Sequence, residues 1–160
     1  MRPAAHVFTL PLHDDPPDAS LYSRLGELLG LSTPLISEAD LAARIEEGLP
    51  VGVVKTLCTQ AGLSDIETSN LVAPRRTLKR RAQSASKTLS SQESDAAVRV
   101  ARIIARAQQV FAGRPEYVSE WLREKNPALG GRAPLSTLVS ETGARAVEEI
   151  LIGIEHGMFA

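Results

Sequence analysis

Pro74-Arg75-Arg76-Thr77-Leu78-Lys79-Arg80-Arg81-Ala82-Gln83-Ser84-Ala85-Ser86-Lys87, residues 74–87, holds six basic side chains and no acidic one. The leading proline suits the first turn of a helix, where its missing N–H costs nothing. On a wheel of about 100° per residue, Leu78, Ala82 and Ala85 share one face, and Arg76, Lys79, Arg80, Gln83 and Lys87 lie opposite. Arg75 and Arg81 flank the apolar stripe. A helix of this kind packs with one side and offers a cationic ridge with the other, as a recognition helix does in a DNA groove. The candidate DNA contacts are Arg75, Arg76, Thr77, Lys79, Arg80, Gln83 and Lys87. The bland alternative is a solvated basic face with no partner. No aromatic residue falls here, so a stacking platform for single strands is not expected.

Working towards the N-terminus, the pattern is a run of short helices. Ser64 can cap a helix carrying Ile66, Asn70 and Leu71, and Gly62 closes the apolar helix before it, Val51 to Ala61. Ser37 can cap a helix through Leu41, Ile45 and Leu49, with Pro50 as its stop. Leu21, Leu25, Leu28 and Leu29 form one face of a first helix that begins at Ser20 and ends at Gly30. Short helices with connections of two to five residues are the texture of a helix-turn-helix domain. Residues 1–19, with four prolines and three aspartates, read as a mobile arm.

Towards the C-terminus, the Ser-rich stretch 84–91 reads as a boundary. Ser90 and Glu93 have the spacing of a capping box, which opens a long amphipathic helix from Ser91 to Phe111. Its apolar face is Val100, Ile103, Ile104, Ala107, Val110 and Phe111, its polar stripe Arg99, Arg102 and Arg106, and Gly113 its stop. Pro115 starts a helix carrying Val118, Trp121 and Leu122, and Asn126-Pro127 breaks it. Residues 128–134, with Gly130-Gly131 at their centre, read as a rigid turn. In the last helix, begun at Thr142 or Gly143, Ala144, Val147, Ile150, Leu151 and Ile154 share a face, while Ile152 lies on the polar side. Gly157 is placed as a C-cap before the apolar Met158-Phe159-Ala160. That tail either folds back on the chain's own core or inserts into a partner.

The whole chain of 160 residues is 43% hydrophobic and 23% charged, which excludes wholesale disorder. No apolar run is long enough to cross a bilayer, and no membrane partner is expected. The opening MRPAAHVFTLPLHDDPPD lacks the apolar length and cleavage site of a secretory signal, so a cytoplasmic location is expected. A single Cys58 excludes a disulfide framework and any cysteine metal cage. His6, His13 and His156 are too far apart for ligand spacing, so neither a metal nor a cofactor is expected. Gly130-Gly131 lacks the neighbours of a phosphate loop, and no local pattern pairs a nucleophile with a base, so the chain reads as no enzyme. The net charge of −1 argues against nucleic acid only as an average. By segment the balance is −6 over 1–73, +6 over 74–87 and −1 over 88–160, and a phosphate backbone feels the local field.

Taken together in order, the C-terminal motifs are specific. Glu93-Ser94-Asp95 opens VRVARIIARAQQVFAG; then come Trp121-Leu122, the run Asn126-Pro127-Ala128-Leu129-Gly130-Gly131-Arg132-Ala133-Pro134-Leu135, Thr142-Gly143-Ala144-Arg145, and Glu155-His156-Gly157. Over residues 89–160 this resembles the Xre/MbcA/ParS family of antitoxins, and Arg76 to Arg81 looks like the end of that family's helix-turn-helix unit. Residues 1–36 carry no such likeness. Ser140-Glu141-Thr142 in place of a more acidic lead-in, and Ala133 in place of Thr, depart from the family's pattern. The resemblance implies a cytoplasmic bacterial antitoxin encoded beside a RES-domain toxin. Toxins of that kind use NAD, degrading it or transferring ADP-ribose to a protein. It further implies that the C-terminal segment occludes the toxin's NAD pocket, and that a homodimer or the toxin–antitoxin complex binds its own operator DNA. By this likeness Trp121, Arg132, Ile152, Glu155, His156, Gly157, Met158, Phe159 and Ala160 become the candidate toxin contacts.

The expected architecture is all-α: a mobile arm (1–19), a helix-turn-helix-like DNA-binding bundle (20–87) and a helical toxin-binding domain (88–160). The alternative in a different class is a helical transcription factor or interaction module whose C-terminal half serves only for dimerisation.

Overall fold

In the computed structural model, residues 17–112 and 114–158 are described, with side chains from Leu21 onward. Most of the arm therefore lies outside the described residues, as do Gly113, Phe159 and Ala160. Among the described residues every regular element is helical: α1 (Pro17–Leu29), α2 (Glu38–Glu47), α3 (Gly52–Ala61), α4 (Asp65–Leu71), α5 (Arg75–Gln83), α6 (Ser91–Val110), α7 (Pro115–Arg123), α8 (Pro134–Thr137) and α9 (Glu141–Glu155), with a 3₁₀ turn at Pro127–Leu129.

Serines set four of the helix starts. The hydroxyls of Ser37, Ser64, Ser90 and Ser140 accept from the backbone N–H three residues on, at 3.1–3.2 Å. At Ser64 and Ser90 the reciprocal bond from Glu67 or Glu93 completes a capping box. Gly30, Gly62 and Gly157 terminate helices with positive φ, as expected.

α6 is the element around which the rest is built. Ten of its twenty residues are buried, on more than one face. α1, α2 and α3 pack on it from the N-terminal side, and α9 packs along it from the other. Ala97, Ala101, Ala105 and Ala107 are fully buried, and such small side chains let neighbouring backbones approach closely. Leu25, Leu29, Leu41 and Leu57 meet the first group of faces, and Val147 and Leu151 come from α9, all within one continuous core. Burying each of the larger side chains contributes about 1.5–3 kcal/mol.

Several sequence expectations are corrected. α1 takes in Pro17 to Ala19, which the pattern assigned to the arm. α2 ends at Glu47, because Gly48 takes φ +89 before Pro50 is reached. A Cβ at Gly48 would also collide with the Leu89 carbonyl oxygen. The basic helix ends at Gln83, and Leu78 alone of its proposed apolar face packs on the core; Ala82 and Ala85 are exposed. Lys87 lies beyond α5 with φ +50. The Ser-rich stretch is tied down there: Val51 N–H donates to the Lys87 carbonyl (2.9 Å) and Leu89 N–H to the Leu49 carbonyl (2.8 Å). The rigid turn opens in the 3₁₀ turn Pro127–Leu129, and α8 starts at its last residue, Pro134. α9 starts at Glu141, one residue before the expected Thr142. Gly143 is required by space: a Cβ there would overlap the Thr137 carbonyl at the end of α8.

Candidate functional site

Two ends of the molecule carry the candidate contacts. The first is built on α3, the three-residue turn Gly62-Leu63-Ser64, and α4. Gly62 takes the left-handed conformation (φ +63) that stops α3, and Leu63 buries beneath the turn. Across it, Cys58 Sγ lies 2.9 Å from the Thr68 hydroxyl, which itself donates to the Ser64 carbonyl at 2.8 Å. In a helix-turn-helix unit the second helix is the one that enters a groove. α4 leads through the three-residue turn Val72-Ala73-Pro74 into the basic α5. α4 exposes Ile66 (74%) and Asn70 and buries Thr68 and Leu71.

α5 presents its charges outward. Arg76, Lys79 and Arg80 are exposed and have no acidic partner among the described residues. Arg75 reaches Asp65 at 3.3 Å, both side chains 85% exposed, a pairing worth little. Thr77 is half-buried, and Gln83 and Lys87 are exposed. Arg81 has a structural task instead: it pairs with Glu93 at 3.0 Å and so ties α5 to the cap of α6.

At the seam between α4 and α7, Arg123 donates to both carboxylate oxygens of Glu67 (2.8 and 2.9 Å) and to the Gly62 carbonyl (3.0 Å). Burial raises the Glu67 pKa, but Arg123 and Ser64 together outweigh it and hold the carboxyl below its ordinary value. A groove of about 500 Å³ opens beside this contact, between α4 and the α7–α8 region, lined by Leu71, Leu135 and Val139 among others. Nothing in local sequence marks this pair, because its members stand 56 residues apart.

The second end is the last turn of α9. Gly157 N–H donates to the Ile154 carbonyl (3.0 Å) and Met158 N–H to the Gly153 carbonyl (2.9 Å), a preformed reversal of the chain. Glu155 pairs with Arg106 of α6 at 2.8 Å, and His156 Nδ1 lies 2.8 Å from the Ile152 carbonyl. Met158 is 68% exposed, so as far as it is described the tail does not fold back on the core. Trp121 is half-buried against Phe111, ring centroids 5.7 Å apart. Arg132 is exposed just after Gly130 and Gly131, both at positive φ. No helix among the described residues is long and apolar enough to cross a membrane.

Two family sequence models match the chain: the antitoxin Xre-like helix-turn-helix domain over residues 40–102 and the antitoxin Xre/MbcA/ParS C-terminal toxin-binding domain over residues 106–157. An Antitoxin Xre from Pseudomonas putida is 31% identical over 135 residues, covering 84% of this chain and 82% of the relative. The chain belongs to the Xre family of antitoxins.

An Antitoxin Xre from Yersinia enterocolitica serotype O:8 is 29% identical over 121 residues, 75% of this chain and 81% of the relative. A protein named Prs ADP-ribosylating antitoxin from Sphingobium sp. (strain YBL2) is 30% identical over 80 residues, 45% of this chain and 50% of the relative. As an Xre antitoxin the chain works within a toxin–antitoxin system. In this member the helix-turn-helix match and the toxin-binding match both run into α6.

Proposed function

We propose that this Xre antitoxin neutralises a RES-domain toxin that uses NAD, by binding it and occluding its NAD pocket with the segment Glu155 to Ala160, and that it represses its own operon. Inhibition is by occupancy, with no chemistry performed by the antitoxin. The observation that carries the reading is the end of α9: a helix whose body is buried finishes in a fixed, outward turn with an exposed methionine at its tip. A preformed apolar plug forfeits little ordering entropy on entering a cleft. The relative named for ADP-ribosylation of Prs supports a partner whose chemistry runs through ADP-ribose. Trp121, Arg132 and Ile152 are the remaining toxin contacts of this proposal.

On the operator side, α5 is the helix that enters the groove, and Arg75, Arg76, Thr77, Lys79, Arg80, Gln83 and Lys87 are the DNA contacts. Two copies would read a two-fold-symmetric site. The setting is the cytoplasm, where both NAD and operator are present.

The test is co-expression with the RES-domain protein encoded beside it. Deleting residues 156–160 spares α9 and its buried face, so the shortened chain should fold with an unchanged unfolding midpoint yet fail to protect cells. Full protection by that chain would overturn the plug.

A further inference from the structure

We propose that Arg123, a residue of the toxin-binding region, is a positioning residue for operator recognition, holding the Gly62 turn and α4, the helix that leads into the basic α5, at a fixed angle while cancelling an anion beside the DNA path. The inference rests on the operator-binding reading given above.

The guanidinium is used on all three nitrogens. Nε and Nη2 grip the two Glu67 oxygens, Nη2 also donates to the Gly62 carbonyl, and Nη1 donates to the Ser119 hydroxyl (2.7 Å) and carbonyl (3.1 Å) on its own helix. One of the Glu67 oxygens meanwhile accepts from Ser64 N–H at 2.8 Å, closing the cap of α4. A single planar fork thus bridges α7, the turn and the first turn of α4, a geometry that a lysine cannot supply. The pair is sheltered, with the Arg123 and Glu67 side chains 34% and 24% exposed, against 85% for both members of the Arg75–Asp65 pair.

α4 needs such a strap. It has seven residues and buries only Thr68 and Leu71 along its length, too little to fix its tilt from within. Its first turn also carries Asp65 and Glu67, charges that a phosphate backbone repels. Arg123 neutralises one of them while fixing the helix from which α5 leads off.

The experiment uses the full-length chain and a duplex carrying the promoter region directly upstream of its own gene, with a scrambled duplex of equal length as competitor, over a KCl series. Arg123→Ala should weaken specific binding by about tenfold or more, 1.4 kcal/mol being tenfold, with the log–log salt slope unchanged because Arg123 itself touches no phosphate. Arg123→Lys should recover part of the affinity, and Glu67→Gln should weaken binding in the same direction by less. Toxin neutralisation serves as the folding control and should persist in all three. Unchanged affinity in Arg123→Ala overturns the proposal. So does a slope lowered by about 0.9, which would make Arg123 a direct phosphate ligand. Failure of the unmodified chain to prefer the promoter duplex overturns the operator reading itself and this role with it.

Discussion

α5 and α6 follow one another in the chain, separated by seven residues, and they are held in place in opposite ways. α6 buries ten of its twenty residues and is fixed by its length. α5 buries none of its nine and is fixed at two points, by Leu78 against the core and by Arg81 on the Glu93 carboxylate. Four of its charges therefore neither strain the fold nor support it. A helix that contributes so little to the core is free to be shaped by a partner, whereas every position of α6 answers to its neighbours.

That contrast can be broken most severely in α6. Ile104, 1% exposed, lies among side chains from both halves of the molecule. Ile104→Ala should cost about 2–5 kcal/mol, read as a lower urea midpoint, and should weaken operator binding and toxin neutralisation together. Loss of only one function would mean the two halves fold independently.

A smaller effect is expected where the two helices meet. Burial raises the Glu93 pKa, but the Ser90 backbone N–H and Arg81 more than offset this and hold it below its ordinary 4.5. A carboxyl depressed on folding stabilises above its unfolded pKa and loses that contribution as pH falls through the folded value. Stability of the unmodified chain should therefore decline below about pH 4.5, and Glu93→Gln should flatten that decline while costing about 1 kcal/mol near neutrality. An equally steep acid limb in Glu93→Gln would remove Glu93 from the join.

The smallest change in stability belongs to the outer face of α5. Arg76→Ala, Lys79→Ala and Arg80→Ala combined should move unfolding by no more than about 0.5 kcal/mol. The same variant should flatten the salt dependence of operator binding by about 0.9 for each phosphate that α5 no longer neutralises. Calorimetry and a titration over several salt concentrations read the two separately. Substantial unfolding would show that α5 supports the core after all.

Local chemistry accounts for what could be read from sequence. Ser64, Ser90 and Gly62 act on backbone groups within a few residues, so their spacing states their role, and the capping box of Ser90 and Glu93 is present as expected. The all-helical order and the family likeness were legible for the same reason. Less legible was anything that depends on what comes to cover a face. Ala82 and Ala85 form an apolar face on a wheel, yet both are exposed among the described residues; Ile66 has the right period for burial and lies open. The grip of Arg123 on Glu67 and Gly62 needs two elements brought together by tertiary folding, and neither residue announces it. Gly143 was visible as part of a motif, but only the Thr137 carbonyl explains why a side chain is forbidden.

The helix-turn-helix match ends at residue 102 and the toxin-binding match begins at 106, so the join lies inside α6, beside the fully buried Ile103 and Ile104. α6 runs unbroken across that join. Under the function proposed above, damage to that one helix would end toxin neutralisation and operator binding together.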